Sequence, residues 1–109
     1  MTDKRIVLST ASSEEEARKI ARHLVHHQLA GCVNILPRIH SIYRWQGKVE
    51  EAQEWLLLIK TTAGKFTAVN DAIRKLHSYD LPECIAVPIE EGSPEYLRWM
   101  AESTEEEIS

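Results

Sequence analysis

Residues 5–10, RIVLST, form a short run of strand-forming side chains, after which the hydrophobic period changes. Ala17, Ile20, Ala21, Leu24 and Gln28 recur at the i, i+3, i+4, i+7 spacing of one helical stripe, with Val25 and Leu29 at its edge. Ser12 or Ser13 caps this helix. Glu14, Glu15 and Glu16 occupy the first turn, where the helix dipole favours negative charge, and Gly31 is expected to close the far end. Residues 31–62 then hold two long strand-forming runs whose only turn punctuation is Gln46-Gly47-Lys48. CVNIL and RIHSIYRW make the first arm, with a bulge or bend at Pro37, and KVEEAQEWLLLIKTT makes the second. The acidic stretch 50–54 has some helical character, but WLLLIKT directly after it makes the element a strand. A second amphipathic helix is expected over about residues 64–77, with Phe66, Val69, Ile73 and Leu76 on one face. Residues 84–89, CIAVPI, are almost wholly apolar and suit a strand buried on both faces. Ser93 caps and Pro94 opens a last short helix through Met100, and residues 102–109 read as a frayed acidic tail.

The order β-α-β-β-α-β plus a terminal helix predicts an α+β fold of the ferredoxin-like split β-α-β type, one domain over residues 1–109. Two helices should cover one face of an antiparallel sheet. Each crossover is expected to set parallel strands side by side, leaving the second face without cover from its own chain.

The hairpin is too long for such a body. Its first arm, residues 31–46, would run roughly 50 Å at about 3.3 Å per residue. A compact domain of this size has a diameter of roughly 35 Å. An overhanging ribbon bearing Ile42, Tyr43, Trp45 and Trp55 is not stable in water alone, and the LLLI run at 56–59 puts apolar groups on both faces. Identical copies arranged in a ring would cover all of this. Trp45, Trp55 and Trp99 fit as subunit contacts.

Composition excludes several classes. The net charge is −4, with no stretch of clustered Lys and Arg, so nucleic acid is not an expected partner. No apolar run approaches the roughly 20 residues that cross a bilayer, and the N-terminal apolar stretch is too short for a signal peptide. A cytoplasmic protein is the expectation. Cys32 and Cys84 lie in apolar strand contexts, where reduced thiols behave as small buried hydrophobes, and there is no CxxC to suggest zinc.

CVNI (32–35), SIYRWQGK (41–48), LIKTT (58–62), HSYDLPE (77–83) and YLRWM (96–100) resemble, in order and spacing, the CutA family of divalent-cation tolerance proteins. The resemblance implies a ferredoxin-like homotrimer, similar in shape to PII signalling proteins, of high thermal stability and with no established enzymatic activity. Copper or another divalent cation is the implied ligand, with no cofactor required. Members credited with copper binding carry a first-strand cysteine and two adjacent histidines. Here Ser9 and Leu76 stand at two of those positions, leaving His77, and Ser78 replaces a proline.

His77, Tyr79, Asp80 and Glu83 crowd the loop after the second helix. His77 is the expected metal ligand, and Lys60, Tyr79, Glu83 and Trp45 the expected lining of an intersubunit pocket for an anion, a metal or a small molecule. The simpler reading makes His77 a helix cap, Asp80-Leu81-Pro82 a turn and Lys60–Glu83 an ion pair. No nucleophile stands beside a base, so catalysis is not expected. His23 and His27, with Glu16 projecting nearly the same way, have the i, i+4 spacing of a chelate for Cu²⁺, Ni²⁺ or Zn²⁺. They lie off the apolar stripe, so a solvated surface is the simpler account. The leading function is a cation-tolerance trimer. The alternative is a PII-like sensor whose subunit clefts bind a metabolite or nucleotide, although no phosphate-cradling glycine loop is present.

Overall fold

A computed structural model describes residues 2–105. The elements run β1 (Lys4–Ala11), α1 (Glu14–His26), β2 (Cys32–Trp45), β3 (Lys48–Thr62), α2 (Phe66–Leu76), β4 (Ile85–Pro88) and α3 (Pro94–Ser103), with a 3-10 turn at Ala63–Lys65 before α2. The sheet order is β2-β3-β1-β4 and every pairing is antiparallel. This is the expected ferredoxin-like α+β arrangement with one correction. The crossovers do not bring parallel strands side by side: β3 lies between β1 and β2, and β1 lies between β3 and β4.

Alternation along the strands sorts the core. Val7, Ala11, Leu57 and Ile59 are buried with Ala17, Ile20 and Leu24 of α1 and Val69, Ala72 and Ile73 of α2. The opposite positions Ile6, Leu8, Leu56 and Leu58 are only half-buried. α3 packs on β3 and β1, and its Met100 is fully buried outside the α1–α2 cluster. The chain therefore supplies more cover than two helices alone. Gly31 permits this contact, because a Cβ there would meet Ser103 Cβ at 3.1 Å and the Trp99 ring at 3.4 Å. α3 also runs three residues past Met100, so residues 102 and 103 are helical rather than frayed. The rest of the acidic tail, from 106, lies outside the described residues.

Two other expectations change. α1 ends at His26, and Gln28, not Gly31, takes the left-handed conformation with φ 58°. Leu29 N–H donates to the Leu24 carbonyl and Gln28 N–H to that of Val25, the paired bonds of a Schellman cap. Leu24 and Leu29 both reach the core, and that apolar contact fixes the cap ahead of the glycine. β4 is an edge strand, and all four of its residues are exposed rather than buried on both faces.

The hairpin forms as expected. The ladder shifts register between Leu36 and Ile39, and Arg38 in that bulge has φ 55°. Gln46 and Gly47 turn with φ 49° and 80°, as a two-residue type I′ turn requires. β1 pairs with β3 only from Trp55 onward. Residues 39–54 are thus a two-stranded ribbon with no third strand beside it.

Candidate functional site

Where the ribbon leaves the body, the loop after α2 folds against it. Three groups anchor that loop. Ser13 Oγ accepts from Glu16 N–H and so caps α1. Glu16 then reaches back: its Oε1 accepts from Ser12 N–H (3.0 Å) and Ser12 Oγ (3.1 Å), and its Oε2 from Ser78 N–H (3.0 Å). Burial pushes the Glu16 carboxyl up, but these bonds and the nearby His77 outweigh it and hold the group below its ordinary value. His77 closes α2 with its N–H on the Ile73 carbonyl. Its side chain is 0% exposed. Nε2 donates to the Thr10 carbonyl at 2.6 Å, and Nδ1 accepts from Tyr79 N–H at 3.0 Å.

A cleft of about 700 Å³ opens beyond this latch, lined by Ser41, Ile42, Tyr43 and Trp45 of the ribbon, Glu54, Thr10 and the 78–83 loop. Glu54 is only 6% exposed, and its Oε2 accepts from the Tyr79 hydroxyl at 3.0 Å. Burial first, then that bond to a carboxylate, pushes the Tyr79 phenol up to about 12, so it remains a donor at physiological pH. Glu83 is raised by burial and by the charge of Glu54. Glu54, Asp80 and Glu83 line the cleft with no lysine or arginine among the lining residues.

Trp45, Tyr79 and Glu83 all line this cleft. Lys60 does not. It sits further along β3, roughly 20 Å from Glu54 at about 3.3 Å per residue, and its Nζ donates to Asn34 Oδ1 instead of pairing with Glu83. His77 is a latch rather than an open ligand: one nitrogen carries a donated proton, the other has its lone pair engaged, and neither is left for a metal. Ser9 shares the buried face of β1 with Val7 and Ala11, and Leu76 packs against the core. Among the described residues no three His, Cys, Asp or Glu side chains form a ligand group. Glu16 is held at the start of α1 and does not join His23 and His27 near its end. Both cysteines are free and half-buried rather than fully buried. Burial and Glu83 raise the Cys84 thiol, which disfavours its reactive thiolate. Trp55 packs half-buried on its own core, whereas Trp45 and Trp99 remain exposed. Glu54 escaped sequence reading because it hides in an acidic run, although alternation through Leu56 and Leu58 places it off the main core.

The family model for CutA1 divalent ion tolerance protein matches residues 5–103. The divalent-cation tolerance protein CutA of Thermus thermophilus is 54% identical over 91% of this chain and 96% of its own length. The solved Thermus structure superposes with a TM-score of 0.92 at 52% identity, covering 94% of this chain and 99% of that one. The structure of the periplasmic divalent cation tolerance protein CutA from Archaeoglobus fulgidus gives 0.91 at 43% identity, covering 94% and 99%. The chloroplastic protein CutA of Arabidopsis thaliana is 42% identical over 91% of this chain, which spans 54% of that relative. A periplasmic and a chloroplastic relative overturn the expectation of a cytoplasmic location, because short apolar content near an N-terminus does not assign a compartment. Among the described residues no helix is long and apolar enough to cross a membrane.

Proposed function

Because the chain belongs to the CutA1 divalent ion tolerance family, we propose that it serves divalent-cation tolerance as a non-catalytic homotrimer. One observation carries the trimer reading. Residues 39–54 form a lone two-stranded ribbon with Ile42 67% and Val49 64% exposed, beside exposed Tyr43 and Trp45. A ribbon of this kind is marginal in water without a third surface. The exposed edge at Ile85 and Val87 is a second apolar surface that needs a cover. In a closed ring each copy supplies what its neighbour lacks.

The cleft at the ribbon's base is then an intersubunit pocket for a small ligand. Its aromatic side chains and carboxylates support binding, while three acidic groups without a lining cation would repel phosphates. That disfavours the nucleotide-sensor alternative. Any contribution to metal tolerance runs through groups other than His77, whose nitrogens are engaged.

Ile42 and Val49 share one face of the ribbon, so placing aspartate at both tests the assembly with little cost to the monomer core. Ile42→Asp with Val49→Asp should convert a particle of three chain masses to one, read by light scattering after size exclusion. An unchanged mass would overturn the ribbon's role.

A further inference from the structure

The last turn of α1 and its C-cap carry three imidazoles, His23, His26 and His27, that neither the cleft nor the ribbon uses. His23 and His27 are four residues apart, one helical turn, and therefore share a face. Their ring centroids lie 4.3 Å apart with planes inclined at 46°, and the His26 ring meets His27 edge-on at 5.2 Å. Among the described residues, none of the three rings makes a hydrogen bond or ion pair. This is the opposite of His77, which has both nitrogens engaged in a dry pocket.

We infer that His23 and His27 chelate a divalent transition-metal ion, Cu²⁺ above Ni²⁺ or Zn²⁺, on the surface of α1. Ligation at about 2.0 Å from two imidazoles requires their nitrogens roughly 3 Å apart, a spacing that rings already in contact reach by small side-chain rotations. Imidazole favours these ions over Mg²⁺ and Ca²⁺, which take oxygen, and the Irving–Williams order places Cu²⁺ first. The C-terminal end of a helix is the negative end of its dipole, which adds attraction for a cation. Two protein ligands leave the remaining positions to water, consistent with the absence of any three-ligand group among the described residues. Lys75 of α2 is close enough to act on His23 and opposes the ion's charge.

Copper titration of the full chain, followed by calorimetry and by paramagnetic resonance of the bound Cu²⁺, tests the site. One ion per chain with nitrogen coordination is expected. His23→Ala and His27→Ala should each weaken binding by at least the roughly 10- to 100-fold that loss of an outer-shell partner causes. Lys75→Gln should tighten it, and His40→Ala, in the ribbon, should leave it unchanged. His27, His40 and Lys75 are exposed and His23 is half-buried, and unchanged circular dichroism would show that the fold persists. An affinity that His23→Ala and His27→Ala leave intact, or one that His40→Ala lowers equally, overturns the assignment.

Discussion

Ser12, Ser13, Glu16 and Ser78 form one hydrogen-bonded unit that joins the start of α1 to the loop after α2, with His77 Nδ1 3.7 Å from the Glu16 carboxylate. Glu16 is its hinge, accepting from both segments as a carboxylate. Its folded pKa lies below its ordinary 4.5, so its contribution is fully present above that value and is lost as pH falls through the lower, folded one. Glu16→Gln should therefore unfold earlier than the parent at neutral pH, by about 1–2 kcal/mol for bonds to a charged acceptor. The difference should shrink as pH falls below 4.5 and the folded carboxylate takes up its proton, measured as denaturant midpoints. A constant gap across that range would show that the charge is immaterial. The helix start was readable in sequence as serine followed by acids. The choice between Ser12 and Ser13 was not, because it depends on Ser78, which is distant along the chain and adjacent only after folding.

Among the elements, the end of α1 shows how local and tertiary preferences compete. Glycine is the usual left-handed residue after a helix, and Gly31 was the nearest candidate. The leucine contact of the Schellman cap instead places the left-handed position at Gln28. A β-carbon there costs roughly 1 kcal/mol. Gln28→Gly should accordingly raise stability by up to about that amount, seen as a higher denaturant midpoint with unchanged slope. A lower midpoint would mean that the backbone strain assigned to Gln28 is absent. The hairpin was the more legible element, since Gln46-Gly47 and the strand alternation both act locally. β4 was misread as buried because an apolar run does not disclose whether its strand is central or at an edge. Lys60 was misplaced for a related reason. Its nearness to Glu83 depended on registers that the β1–β3 and β1–β4 ladders settle differently, since Ile6 pairs with Lys60 on one side and with Val87 on the other.

At the scale of the whole molecule, the chain spans 46 × 30 × 22 Å, with a radius of gyration of 14.5 Å. The long dimension reflects β2, whose 14 residues extend about 46 Å at roughly 3.3 Å each. The overhang was legible from residue count alone, because strand rise and domain diameter are both set by backbone geometry. The contents of the cleft were not, since Thr10, Ser41, Glu54 and the 78–83 loop converge only through the tertiary fold. What remains exposed is a ribbon and an edge strand rich in apolar groups, which sister chains are expected to cover. Sedimentation equilibrium of the unmodified protein at low micromolar concentration is the most direct test. A single species of three chain masses is the expected result. A well-folded particle of one chain mass would contradict it.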